Sequence, residues 1–200
     1  MVSGGGTNLQ AVIDACQQGQ IDGQVVKVVS SNSKAYALER AERHGIPSAC
    51  VLKKDFATAQ EYDKAKHRAL LESGADIVVL AGYLSILPME TFAVFPNRIV
   101  NTHPALIPSF CGMGMYGERV HQAVIDAGVK VSGCTVHFAE AGVDTGPIIL
   151  QETVPVNDDD DAHSLAARIL PVEHRLLVKA VSLLAQDKLR VEGRRVVVVG

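Results

Sequence analysis

Residues 77–82, Ile-Val-Val-Leu-Ala-Gly, carry no polar side chain. A strand that is hydrophobic on both sides needs cover on both faces, the condition of a parallel strand inside a layered α/β fold. The flanking pattern agrees. Val25-Val26-Lys27-Val28-Val29 is a β-branched run ending at Ser30-Ser31-Asn32, a strand followed by a turn. Residues 35–44 show helical periodicity and stop at Gly45, and residues 56–72 form a longer helical stretch closed by Gly74. A strand at 99–103 is cut off by Pro104, and a helix at 120–127 ends at Gly128. Residues 131–138 and 148–156 read as strands, and 163–184 as two helical pieces joined at Pro171. Residues 189–191 and 195–199 flank Glu192-Gly193 as a hairpin-like tail. This alternation predicts an α/β, Rossmann-like, mostly parallel sheet with helices on both faces, in a single domain over residues 1–200.

Composition narrows the function classes. Hydrophobic residues make up 48% of the 200, enough for a sizeable core. The net charge of −3 argues against a protein that wraps nucleic acid, yet leaves room for one small phosphate site. Four cysteines, at 16, 50, 111 and 134, form no CxxC pair and read as reduced, mostly structural thiols of a cytoplasmic protein. No apolar run approaches the roughly 20 residues of a membrane span, and the opening residues do not resemble a signal peptide. The acidic run 158–161 lacks the Gly and distal Glu of a calcium loop, so it reads as a solvated turn favouring the next helix start.

Three segments can carry chemistry. Ser3-Gly4-Gly5-Gly6-Thr7-Asn8 leads into an amphipathic stretch, where glycines admit close approach of an anion and a helix start offers free N–H groups. It is neither a Walker loop nor G-x-G-x-x-G, and a tight strand-to-helix turn capped by Thr7 explains it equally well. In Asn101-Thr102-His103-Pro104, residues two apart share one face of a strand, so Asn101 and His103 project together. They suit acid/base work and donation to an oxyanion, although a satisfied strand-end histidine weighs the same. In Gly142-Val143-Asp144-Thr145-Gly146-Pro147, Asp144 can pair with His103 and raise its pKa, or simply bond its own backbone. Only Met1 and Val2 precede the glycine loop. A strand this short is expected to leave neighbouring backbone groups unpaired, and the native chain to carry a few apolar residues before Met1.

In order and spacing these segments, with Leu80-Ala-Gly-Tyr-Leu-Ser-Ile-Leu and Gly133-Cys-Thr-Val-His-Phe between them, resemble the folate-dependent phosphoribosylglycinamide formyltransferases of the formyltransferase superfamily. The resemblance implies transfer of the formyl group of 10-formyltetrahydrofolate, the co-substrate, to the glycyl amine of 5-phosphoribosylglycinamide in purine biosynthesis, without a metal. It implies that Gly6, Thr7 and Asn8 hold the phosphate and that Glu173 bonds the ribose. It further implies catalytic Asn101, His103 and Asp144, with a protonated His103 kept charged by Asp144. The folate would lie against Leu84, Ser85, Ile86 and Leu87, with Glu140, Asn101 and Asp144 also contacting it. Ala59 and Ser85 stand where many relatives carry basic residues, which implies a looser hold on the folate's glutamate tail. The segment 111–119 is longer and more glycine-rich than in short relatives. The implied partners are small molecules, not nucleic acid or membrane, and a homodimer is compatible with the sequence. The rival readings are another formyl-transferring or formyl-hydrolysing enzyme and a non-catalytic sugar-nucleotide-binding module.

Overall fold

The computed structural model describes residues 1–200 and divides into two compact units, Met1–Val100 and Asn101–Gly200. The first unit contains α1 (Thr7–Gln17), β1 (Val28–Ser30), α2 (Tyr36–Arg43), β2 (Ser48–Cys50) and a 3-10 turn at Lys53–Asp55, then α3 (Ala59–Leu71), β3 (Val78–Leu80) and α4 (Met89–Val94). The helix expected from residue 56 starts three residues later because Thr58 caps it. The Thr58 side chain accepts the Glu61 N–H while the Glu61 carboxylate accepts the Thr58 N–H, a reciprocal box. β2 and α4 had no legible signal in the sequence, being only three and six residues long.

β1 and β2 are parallel, Val28 opposite Ser48. The short start behaves otherwise than expected. Val2 bridges Ser30 in parallel, donating its N–H to the Val29 carbonyl at 2.9 Å and accepting from Ser31 N–H at 3.2 Å. On the other side, the Met1 amine donates to the Val79 carbonyl at 2.6 Å, and Ala81 N–H donates to the Met1 carbonyl at 2.9 Å. Two residues thus pair the facing groups of β1 and β3, so the predicted unpaired groups are absent there. Val2 is fully buried with Leu9, Ile13, Val28, Ala37, Ala41 and Ala81 in one core cluster.

β4 (Ile99–His103) leads into the second unit, followed by α5 (Glu118–Asp126), β5 (Val131–Phe138), β6 (Ile148–Pro155), α6 (Ala162–Ala185), β7 (Leu189–Glu192) and β8 (Arg195–Val198). Its strands lie in the order β4-β5-β6-β8-β7. β5 and β6 are antiparallel, β6 and β8 parallel, and β7 with β8 form the expected antiparallel tail hairpin. The class predicted from the alternation, α/β with a mostly parallel central sheet, is the class found.

One expectation fails in α6, which runs unbroken through Pro171 for 24 residues instead of splitting in two. A proline inside a helix costs about 3 kcal/mol through its missing N–H and its clash with the preceding turn. Pro171 and Ala167, whose carbonyl loses its partner, are both exposed, so water can satisfy that group. The opposite face buries Leu165, Ile169, Leu176, Leu177, Ala180, Val181 and Leu184. At roughly 1.5–3 kcal/mol for each large buried side chain, that stripe outweighs the proline. The acidic turn serves the helix start as expected, Asp161 accepting the Ser164 N–H at 2.7 Å.

Candidate active site

In the first unit the glycine loop is shaped by α2. Ala37 N–H donates to the Gly4 carbonyl at 3.1 Å, and the Arg40 guanidinium donates to the Gly5 carbonyl at 2.9 Å. In a trans peptide the next N–H points opposite to the carbonyl. With both carbonyls fixed toward α2, the N–H groups of Gly5 and Gly6 face away from it. Gly6 then takes a left-handed φ of 72° as the N-cap of α1, and a Cβ there would lie 2.6 Å from that of Ala37. No side chain caps α1, contrary to the Thr7 cap weighed from the sequence. The first helical bond runs from Gln10 N–H to the Gly6 carbonyl, so the N–H groups of Thr7, Asn8 and Leu9 precede it. Asn8 Oδ1 is buried without a hydrogen-bond partner. A glycine loop followed by the free N–H groups of a helix start is chemically suited to an anion, chiefly through main chain. Arg40 carried no signal of its own in the sequence.

In the same unit, Leu84 and Ile86 are exposed, Ser85 is half-buried and Leu87 is buried. Ala59 is exposed at the first position of α3.

In the second unit, Asn101 and His103 share one face of β4, as the strand period requires, and both reach the loop carboxylate of Asp144. Asn101 Nδ2 donates to Asp144 Oδ1 at 3.3 Å, and His103 Nδ1 lies 3.6 Å from Asp144 Oδ2. Asp144 holds a left-handed φ of 55° and does not bond its own loop; its Oδ2 accepts the Gly112 N–H at 3.0 Å. Burial alone would raise the Asp144 pKa. The neighbouring His137, the Gly112 N–H and His103 outweigh burial and hold the carboxyl below its ordinary value.

His103 is 3% exposed. Its Nε2 donates to the Phe110 carbonyl at 2.8 Å, because a carbonyl can only accept. Asp144 and the Phe110 carbonyl both favour the imidazolium, as the pairing idea requires. Desolvation by burial is nonetheless the largest effect, and it lowers the His103 pKa below its ordinary value. The expected upward shift of His103 is therefore corrected to a downward one. In the neutral ring the proton sits on Nε2, which leaves the Nδ1 lone pair turned toward Asp144.

Sequence reasoning missed four members of this cluster. His137 of β5 is 1% exposed, donates from Nδ1 to the Phe138 carbonyl at 2.8 Å, and accepts from Asn101 Nδ2 at 3.1 Å. Its signal was a histidine inside a strand of small and apolar residues that is buried over nearly its whole length. Phe110 and Gly112 act through main-chain atoms, which no residue pattern announces. His121 of α5 is buried, with an unpartnered Nδ1 and a pKa lowered first by desolvation and then by His103.

Glu173 of α6 accepts from Thr102 Oγ1 at 3.4 Å, on the side of β4 opposite to Asn101 and His103. Glu140 is exposed two residues after β5. Gly146 lets the 140–147 loop close on β5, since a Cβ there would collide with the Phe138 carbonyl. No group of His, Cys, Asp or Glu side chains is arranged to hold a metal ion, and no helix is long and apolar enough to cross a membrane. Of the four cysteines, only Cys134 is buried, and its thiol is pushed up to about 12 by burial and by Glu173.

Comparison with known proteins gives a consistent result. Residues 1–181 match the sequence profile described as formyl transferase. The chain is 38% identical over 193 residues to the chloroplastic phosphoribosylglycinamide formyltransferase of Arabidopsis thaliana, covering 94% of this chain and 65% of that protein. It is 36% identical over 192 residues to phosphoribosylglycinamide formyltransferase of Haemophilus influenzae, covering 96% of this chain and 88% of that protein. Among solved structures, glycinamide ribonucleotide transformylase 1 from Symbiobacterium toebii superposes with a TM-score of 0.93 at 44% identity. That match covers 100% of this chain and 92% of the other.

Proposed function

The chain belongs to the formyl transferase family, and from that premise we propose that it is one formyltransferase domain moving the formyl group of 10-formyltetrahydrofolate to the glycyl amine of 5-phosphoribosylglycinamide. Relatives bearing the phosphoribosylglycinamide formyltransferase name support the substrate pair. The observation that carries the mechanism is the convergence of Asn101, His103 and His137 on the one buried carboxylate of Asp144.

The amine attacks the formyl carbon, a new C–N bond forms, and the carbonyl oxygen takes the negative charge. Neutral His103 is competent to accept the proton the amine sheds, because its Nδ1 is free. Once charged, it faces Asp144, so the ion pair appears only as the reaction advances and counts toward the transition state. Asn101 has both amide hydrogens committed, to His137 and to Asp144. The 3.3 Å bond to Asp144 is the longer and is the one exchanged for the oxyanion. The imidazolium then returns a proton to the folate nitrogen as its bond to the formyl carbon breaks. Gly6, Thr7 and Asn8 receive the substrate phosphate, Glu173 accepts from the ribose hydroxyls, and Leu84, Ser85, Ile86, Leu87 and Glu140 border the folate.

The test is tetrahydrofolate release with and without glycinamide ribonucleotide. Amine-dependent release is expected. Release without the amine assigns a hydrolase, and none with it assigns a binding module.

A further inference from the structure

Residues 84–86 belong to no helix or strand, yet each is tied by a side chain from elsewhere in the first unit. Leu84 N–H donates to Ser3 Oγ at 2.9 Å. Ser85 Oγ shares a 3.0 Å hydrogen bond with the Tyr62 hydroxyl. The Ile86 carbonyl accepts from Lys66 Nζ at 2.5 Å. Lysine side chains ordinarily extend to water, but Lys66 is only 3% exposed. Its charge is paired with Asp63 at 2.7 Å and lies 4.4 Å from the centre of the Tyr62 ring. Removing an ammonium from water is costly unless every donor is used, and here one donor is spent on a loop carbonyl.

Leu84 and Ile86 meanwhile stand 61% and 54% exposed. A free loop would tuck such side chains away from water. Holding them out requires the fixed backbone that the three ties supply. We infer that Lys66, seconded by Tyr62, is a positioning residue that holds 84–86 as a preformed apolar wall for a flat heteroaromatic ring. The inference rests on the reading of Leu84, Ser85, Ile86 and Leu87 as the folate-bordering segment. Lys66 touches no reacting atom; it acts by removing the ordering cost of the wall from the binding step.

The experiment compares Lys66→Met and Tyr62→Phe with the wild type. Lys66→Met should raise KM for 10-formyltetrahydrofolate about tenfold and Tyr62→Phe about twofold, as expected when a few side chains must be ordered on binding. At saturating folate, kcat and the KM for the ribonucleotide should be unchanged, and amide exchange should quicken at 84–86 alone. Should Lys66→Met not fold, Tyr62→Phe carries the same test in smaller measure. Direct titration of the wild type with tetrahydrofolate separates the two layers. No binding overturns the folate reading and the inference with it. Wild-type binding with an unchanged folate KM in the variants, or an equal change in both KM values, overturns the inference alone.

Discussion

The glycine loop of the first unit and the Asp144 cluster of the second offer opposite kinds of chemistry. In the proposed function the loop would work through main-chain N–H groups that carry no ionisable proton, oriented by two carbonyls that Ala37 N–H and Arg40 hold. The cluster works through buried side chains whose charge states depend on one another. A main-chain site is broken by adding atoms, and a titrating site by changing charge. Binding and turnover should therefore fail separately.

The largest expected effect is on turnover. His103→Ala should lower kcat by about 10²–10⁴-fold while calorimetry finds ribonucleotide affinity retained. Lost affinity in a folded variant would break the division. Asp144→Asn should lower turnover comparably and push the His103 pKa further down, since a neutral amide no longer favours the imidazolium. An unchanged His103 titration by NMR would show that the pair is not coupled.

Gly6→Ala comes next. A left-handed φ and the contact with Ala37 impose strain on the order of 1–3 kcal/mol, so ribonucleotide affinity should fall about 5–150-fold. Turnover at saturating substrate should persist. A collapse of kcat with affinity intact would place the loop's role in the chemistry.

The pH response of stability sharpens the contrast, because the loop's main-chain N–H groups do not titrate and the cluster's side chains do. His103 and His121 are lowered from 6.5 and Asp144 from 3.8. In each case the folded state holds its proton less readily than the unfolded chain. Their contribution is thus complete above the unfolded values and is lost as pH falls through the folded ones. Urea midpoints should decline as pH drops below about 6.5 and again through the carboxylate range. A midpoint that rises on acidification through the histidine range would contradict the lowered histidines. Smallest is the effect of salt on folate binding. With Ala59 and Ser85 supplying no charge, affinity should change little between low and high salt, exposed pairs being worth about 0–1 kcal/mol. A steep loss would point to the exposed Lys53 or Lys54.

The difference between the two regions also governs what could be read from the chain. Asn101 and His103 were legible as a pair because the strand period is set by backbone geometry, and the apolar run at 77–82 announced its layer for the same reason. The hairpin tail was marked by its Glu192-Gly193 turn, and the acidic run by its cap. Pro171 misled, since a local rule gave way to a long buried face. The pairing of Met1 and Val2 was not legible, because it depends on where β1 and β3 lie.

By itself, then, the sequence determined what is periodic or local: the α/β class, most of the elements, the shared face of Asn101 and His103, and the glycines at the start of α1. Only the tertiary structure decided the state of His103. Asp144 and the Phe110 carbonyl favour its charge, burial opposes it more strongly, and the balance depends on depth and distance that no spacing encodes. It likewise decided the direction of the loop's N–H groups through Arg40, and the fixing of 84–86 through Lys66. Apart from the Phe110 carbonyl, seven positions from His103, these contacts join residues 20 to 43 positions apart. Helical and strand periods fade within a few turns, whereas a hydrogen bond or a desolvated charge is set by the space the folded chain closes around it.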